Sequence, residues 1–410
     1  MKKITFVINY FYPDLASTGQ LLTDLCRDLQ DEFKITVIAA QPGYAGEKLN
    51  SKKLFEVDYL EKIKVIRVKL PSVNKASKIS RIKYIMSYFG LALVALLREK
   101  GTSIIYTISQ PPILGGLLGT LGKLIKRSKH VYNIQDFNPE QAAAINYTGN
   151  TIVYKLAKLV DKINCMYADR VIVVGNDMVE TLKNRFRGNE LPQYSVINNW
   201  TNEKEIVPLS DNTKEIIDFK KKYNLLDKFI IMYSGNIGLY YDLENIITIA
   251  NHFSDNKNIS FVFIGDGAVK NKMKKYTTEN NLNNVLFLPY QDKDFIKYSL
   301  NVADIHLVVN QKGIKGVSVP SKVYGVMAAG KPILGVLEHG SEAQKLISYS
   351  KSGTVIEPHN YKGIINAINN FFEMSSDDLK QTGMSGRKYL EKYLRKEISI
   401  GKYRELLKKI

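Results

Sequence analysis

The sequence predicts an α/β protein made of two doubly wound, parallel-sheet domains. Three observations carry that prediction. Short apolar, β-rich runs alternate with amphipathic stretches of helical length almost throughout. The alternation occurs twice, broken by one polar, proline-containing segment. A chain of 410 residues also exceeds what one hydrophobic core usually serves.

In the first half the strand candidates are "KITFVIN", "KITVIAA", "KVIRVKL", "SIIYTIS", "HVYNIQD", "RVIVVG" and "YSVINN". In the second half they are "FIIMYSG", "ISFVFIGDG", "NVLFLPY", "IHLVVN", "PILGVL" and "GTVIEP". Each is a nearly continuous apolar run, as expected of strands covered on both faces. Helical stretches such as Gly19 to Glu32 and Glu244 to Phe253 separate them. The start, "MKKITFVINYFYP", resembles a signal peptide only superficially. Its apolar run is short and β-branched and no small-residue cleavage site follows, so it reads as a first buried strand. The polar break "NNWTNEKEIVPLSDNTKEI" places the domain boundary near Glu203 to Asp211, with domains 1–205 and 206–385. The basic tail "MSGRKYLEKYLRKEISIGKYRELLKKI" is helical, and residues 386–410 are assigned to the first domain. Two such halves facing each other imply a cleft lined by strand ends, where ligands bind in doubly wound sheets.

Composition bounds the chemistry. Charged residues (24%) and apolar residues (45%) are at globular levels. With 58 Lys and Arg against 40 Asp and Glu, the net charge is +18, which points to a polyanionic partner or to a lysine-rich genome. No helix–turn–helix, zinc-finger or RNP pattern is present, so no nucleic-acid partner is expected. Cys26 and Cys165 lie far apart, as buried thiols in a reducing compartment would. The histidines form no metal cluster, and no Ser-His-Asp pattern is evident. The segment Lys75 to Lys100, "KASKISRIKYIMSYFGLALVALLREK", has an uninterrupted apolar core shorter than the ~20 residues of a spanning helix. It suits either an anionic leaflet, with Ile85, Met86, Phe89 and Leu93 dipping in, or a buried crossover helix.

Four segments of the second half have the shape of a phosphate-binding rim. In "YSGNIGLYYDLENII" a strand runs through Ser234 into Gly235, Asn236 and Gly238, with a helix opening near Asp242. Glycines let backbone approach a phosphate, although an ordinary turn has the same pattern. In "FIGDGAVKNKM", Gly265, Asp266 and Gly267 form a second tight turn. Pro289 and Tyr290 end the next strand, where a ring could hold a flat base. In "GVSVPSKVYGVMAAGKPIL", Pro320 suits a helix start, Ser321 can cap it or offer its first turn to a phosphate, and Lys322 adds a full charge. In the first half, Gly19 of "YPDLASTGQLL" follows the first strand. "NIQDFNPEQAAA" places Asp136 and Glu140 after a buried strand, where a carboxylate can act as a base or simply cap a helix. His130 reads as structural.

Taken in order, S-G-N-I-G, G-D-G, N-V-x-F-L, A-D-I-x-L-V and P-S-K-x-Y-G-x-M-A-A-G-K-P resemble family-4 glycosyltransferases of the GT-B fold. Within these the sequence is most similar to the O-antigen and capsule branch with its WbuB-like proposed N-acetyl-fucosamine transferases. "NIQDFNPEQ" and "VIVVGNDMVETL" fit as well, so the resemblance spans nearly the whole chain. It implies two Rossmann-like domains, the second binding a nucleotide sugar, UDP-linked in family terms, the first an acceptor. It also implies a last helix crossing back to the first domain. Transfer would proceed with retention, without metal or other cofactor. The acceptor would be an undecaprenyl-diphosphate-linked saccharide, and the enzyme would be cytoplasmic, held peripherally on the anionic inner face of the cell membrane.

The resemblance assigns Ser234, Gly235, Asn236, Gly238, Gly265, Asp266, Gly267, Pro289, Tyr290, Pro320, Ser321, Lys322 and Tyr324 to the donor, with Gly19 from the first domain. Asp136 and Lys322 are the catalytic candidates. Two departures bear on this. The family's E-x7-E glutamates align with Val317 and Gly325, neither of them acidic. Its Arg and Lys after the first donor-domain strand fall near Asn236 and Tyr241. Lys322 is then the best compensating cation, with Lys312 and Lys315 in reserve. A UDP-sugar 2-epimerase of the same architecture and an inactive basic membrane-binding scaffold are the alternatives.

Overall fold

The computed structural model describes residues 1–14, 16–42, 53–72, 77–145 and 151–410. Leu15, Lys75 and Ala76, which fall in segments named above, lie outside them. The chain divides into two compact units. Unit 1 comprises Met1–Ala143, Thr148–Asn198 and Ile400–Ile410; unit 2 comprises Ala144–Tyr147 and Asn199–Ser399.

Unit 1 is an eight-stranded sheet of β1 (Lys3–Val7), β2 (Lys34–Ala40), β3 (Phe55–Leu60), β4 (Ile63–Val68), β5 (Ile104–Ile108), β6 (Lys129–Ile134), β7 (Arg170–Val173) and β8 (Tyr194–Val196). The order is β3-β4-β2-β1-β5-β6-β7-β8. Every pair is parallel except β3 with β4. Sequence order reverses between β1 and β5, the switch point of a doubly wound sheet. Central strands such as β5 are buried along their whole length, which is why they read as unbroken apolar runs. The edge strand β3 has no counterpart among the sequence expectations. Its Glu56 and Asp58 alternate with Phe55, Val57 and Tyr59, and much of it is solvent-facing, so the pattern is that of an edge rather than a core strand.

Unit 2 has six parallel strands: β9 (Phe229–Ser234), β10 (Ile259–Ile264), β11 (Val285–Leu288), β12 (Ile305–Val309), β13 (Ile333–Val336) and β14 (Gly353–Ile356). Their order is β11-β10-β9-β12-β13-β14, with the switch point between β9 and β12. The stretch expected as one helix from Glu244 to Phe253 is two short helices, Leu243–Ile246 and Ile249–His252.

The units divide at Asn198/Asn199, before the polar stretch near Glu203, and the return to unit 1 comes at Ile400 rather than 386. The reason lies in helix Ser376–Tyr393. Arg387 donates to the carbonyls of Ile206 and Ala328 at 2.8 Å each, and Gly383 sits so close to the Gly330 carbonyl that a Cβ would lie 2.1 Å from it. These ties keep residues 386–399 in unit 2. The end of helix Lys396–Lys409 completes unit 1. Tyr403 is buried there and accepts from Asn133 Nδ2 at 2.8 Å, while the same amide donates to Tyr106 at 2.5 Å. Arg404 and Lys408 both pair with Glu32.

Helix Lys78–Arg98 buries Tyr88, Ala92, Ala95 and Leu96 in the core of unit 1. Phe89 and Leu93, which dip into a leaflet in one of the two readings above, pack against that core as in the crossover-helix reading; Met86 is exposed and Ile85 half-buried. The apolar stretch is longer than expected: among the described residues, Ile79–Arg98 is a helix long and apolar enough to cross a membrane by length and composition.

Candidate active site

The carboxyl ends of β9, β10, β11 and β12 bring most of the sequence-singled residues of unit 2 together. Gly235 leaves β9 with φ +139° and donates its N–H to the Ile264 carbonyl at 2.8 Å. Ile237 donates to the Asp266 carbonyl at 2.8 Å, so the β9 and β10 loops are stitched side by side. Gly265, at φ +140°, has the Gly235 carbonyl 1.9 Å from where its Cβ would be, and Gly267 has the Ile237 carbonyl at 2.2 Å. These two glycines were expected to admit a ligand. The space their missing Cβ atoms leave is filled by the neighbouring loop, so their first task is loop-to-loop packing. Gly265→Ala therefore should not be tolerated: it combines a strained φ with a backbone clash and is expected to lower the stability of unit 2 by at least about 2 kcal/mol. Trp200, the sole tryptophan, is buried in unit 2, and its fluorescence during denaturant unfolding measures this loss.

Lys322 lies over this stitched turn. Its ammonium is 4.4 Å from the Tyr241 ring centroid and 5.0 Å from that of Tyr233. A Cβ on Gly235 would meet Lys322 Cε at 2.4 Å, so glycine is what allows the lysine stem to cross. Among the described residues no carboxylate forms an ion pair with Lys322. Burial pulls its pKa down to about 8. A cation held by π faces, without a counter-charge, is a site in want of an anion. The sequence pattern flagged Lys322 but not the tyrosines, which reach it from a strand and a loop. Tyr241 stands where the family resemblance expects a cation; here it supplies a ring to hold one.

The remaining rim residues are arranged around this point. Tyr233 donates to the Asn236 carbonyl at 2.6 Å, with Gly238 against the Asn236 amide. Tyr290, following Pro289 at the end of β11, is exposed and donates to the Asp266 carbonyl at 3.3 Å. Lys270 was not singled out from the sequence. It donates to the carbonyls of Gly265 (2.5 Å) and Leu288 (3.3 Å), closing the base of the second turn. Glu338, after β13, accepts from the N–H groups of Gly313 and Lys315 at 2.9 Å each and so fixes the loop that carries the reserve cations Lys312 and Lys315.

Several expectations are corrected. Helix Lys322–Ala328 is only seven residues long, and Ser321 makes no capping bond to it, so dipole and cap contribute little and the charge of Lys322 carries the site. Tyr324 is fully buried among Val308, Val323 and Met327; it is a core residue rather than a donor contact. Gly19 lies in unit 1, in helix Ser17–Leu29, with Tyr10 about as close as a Cβ permits (3.2 Å). Asp136 also lies in unit 1, just past β6. Its N–H donates to Ser109 Oγ at 3.2 Å, and its carboxylate accepts from Gln141 at 3.3 Å. Glu140 is tied to Arg185 at 2.5 Å, a structural pairing. His130 is buried against Thr107 (2.9 Å) with its pKa pulled down to about 3 by burial, in keeping with a structural role.

With this geometry in place, comparison with known proteins is informative. Residues 215–389 match the family model described as glycosyl transferases group 1. The matched residues lie within unit 2. The chain is 28% identical to WbjE of Pseudomonas aeruginosa, named a probable glycosyltransferase, over 98% of this chain and 97% of that one. It is 24% identical, over 97% of each, to WcaI of Escherichia coli K12, provisionally named a colanic acid biosynthesis glycosyl transferase. Among solved structures, Anabaena HepE in complex with UDP and glucose superposes with a TM-score of 0.75 at 14% identity, covering 100% of both chains. The fold is the two-domain GT-B architecture with two Rossmann-like sheets. Together the comparisons support a glycosyltransferase connected with polysaccharide biosynthesis.

Proposed function

We propose that the chain is a retaining, family-4 glycosyltransferase that moves a sugar from a UDP-sugar to a lipid-linked saccharide during O-antigen or capsule assembly. The donor sugar in this reading is an N-acetylated amino sugar such as N-acetyl-fucosamine, as in the WbuB-like branch. Unit 2 holds the donor and unit 1 the acceptor, an undecaprenyl-diphosphate saccharide at the inner face of the membrane. One observation carries the reading: the ammonium of Lys322, unpaired by any carboxylate among the described residues, sits over the glycine turn at the switch point of unit 2. As the bond from the anomeric carbon to the diphosphate breaks, negative charge grows on the leaving group. A pre-placed cation there lowers the barrier without reorganisation. The diphosphate charge is taken by Lys322, and the reaction calls on no metal. Asp136 orients the acceptor hydroxyl in unit 1. The support from outside the chain is the group 1 domain match and the UDP and glucose bound by HepE on the same fold.

The test is release of UDP from a panel of UDP-sugars, with and without a lipid-linked acceptor. Binding and turnover with none of them would overturn the reading. A pH series adds a sharper expectation. The free lysine loses its proton near pH 8, whereas a bound diphosphate favours the charged form. Donor binding therefore takes up a proton above that pH. Affinity measured by calorimetry should be flat below pH 8 and fall by roughly tenfold per pH unit above it. A Lys322→Met variant should lose that dependence.

A further inference from the structure

We infer that unit 1 docks on an anionic bilayer through the outer face of helix Thr151–Tyr167. On this helix Ile152, Leu156, Leu159, Ile163 and Met166 are exposed, Ile152 by 76% and Leu156 and Met166 by 59%. Their spacing of four, three, four and three residues puts them within an arc of about 80° on one face. A soluble helix normally turns such a stripe inward. Here the inward side is occupied instead by Asp161, Asn164 and Cys165, all buried.

The charges beside the stripe decide what covers it. Lys155, Lys158 and Lys162 run along one flank and, with Leu159, line a shallow concavity. Lys158 pairs with Glu140 at 3.7 Å, but Lys155 and Lys162 meet no carboxylate among the described residues, and the helix's one acidic residue, Asp161, is buried against Arg185. A second copy of the helix would set lysine against lysine with no acidic partner, which disfavours self-pairing. A negatively charged surface suits both features, with aliphatic side chains entering the acyl boundary and ammonium groups meeting lipid phosphates. The apolar surface also continues sideways. Lys123 donates to the Tyr167 carbonyl at 2.8 Å and Lys126 to the Leu97 carbonyl at 3.2 Å, joining the ends of three helices where Leu97, Leu124, Ile125 and Met166 are exposed. A broad, flat, aliphatic face bordered by lysine matches a bilayer better than a peptide. Because one side of the helix is anchored in the core, it lies on the membrane and does not span it.

This inference deepens the proposed lipid-linked acceptor by naming the docking face, and its test is independent of sugar transfer. The full chain is floated with vesicles of phosphatidylcholine alone or with added phosphatidylglycerol. Wild type should bind only the anionic vesicles. Leu156→Asp with Leu159→Asp should reduce binding at least tenfold, and Lys155→Gln with Lys162→Gln should reduce it roughly 25-fold, since each lysine contributes roughly fivefold near such a surface. All variants alter exposed or half-buried positions, and circular-dichroism melting together with hydrogen exchange at β6 and β7 checks that unit 1 folds. Three results would each overturn the inference: no binding of wild type to anionic vesicles, unchanged binding of the Leu156/Leu159 variant, or a dimer in light scattering that the same variant dissolves. Vesicle binding without any UDP-sugar chemistry would defeat the proposed function and leave this inference standing.

Discussion

Lys322→Met lowers sugar transfer by about two orders of magnitude, the scale of losing one charge-stabilising donor in a preorganised site. The stem that crosses Gly235 is retained and only the ammonium is removed. The loss should appear in kcat as well as in donor affinity, because the charge matters most when the diphosphate departs. Folding should not suffer. Burial lowers the pKa of this lysine to about 8, so the unfolded chain binds the proton more tightly than the folded one between there and the ordinary value near 10.5. Below pH 8 the charged lysine thus weighs against the folded state, and stability contributed by this position rises as pH climbs through that window. The Met variant should melt, by Trp200 fluorescence at pH 7, no earlier than wild type. Wild-type turnover in such a variant would remove Lys322 from the mechanism.

Arg185→Met produces the second large effect, on unit 1 rather than on chemistry. Arg185 is buried and pairs with both Asp161 and Glu140, with its guanidinium 4.5 Å over the Phe137 ring. Burial alone would lower its pKa; Asp161 and Glu140 outweigh that and hold it above the ordinary value. Asp161 also accepts from Tyr132 on β6 at 2.6 Å, so the network ties helix Thr151–Tyr167 and helix Asn176–Arg185 to the sheet. Removing the cation leaves Asp161 without its counter-charge and Glu140 with only Lys158 at 3.7 Å, and should cost about 3–5 kcal/mol. Hydrogen exchange at β6 and β7 reads the loss locally. Adding Asp161→Leu and Glu140→Gln to Arg185→Met should recover much of it, because an apolar replacement leaves no unpaired charge. A single variant as stable as wild type would show the network to be dispensable.

What the sequence made legible follows from what each residue faces. Strands buried on both faces announce themselves, and β1, β5, β9 and β10 fall where unbroken apolar runs place them. β3 escaped notice because an edge strand mixes Glu56 and Asp58 with its apolar residues. In the site, Lys322 was legible as a charge set into a run of small apolar residues. Its two tyrosine supports were not, since Tyr233 and Tyr241 converge on it only through the fold of the β9 loop. Tyr324 shows the opposite failure: its position beside Lys322 in sequence suggested a ligand contact, but helical geometry turns it into the core. Gly265 and Gly267 read in the sequence as a turn that could approach a ligand; in the fold the backbone of Gly235 and Ile237 comes close to them.

The burial of Tyr403 has a consequence for how the molecule is made. Residues 400–410 are synthesised after every strand of unit 2, yet Asn133, Tyr106 and Glu32, made before unit 2, wait for them as partners. Unit 1 therefore cannot finish its interior until unit 2 has been made, whereas unit 2 has all its strands in hand beforehand. A nascent chain halted before Ile400 should hold an N-terminal half still open to proteolysis.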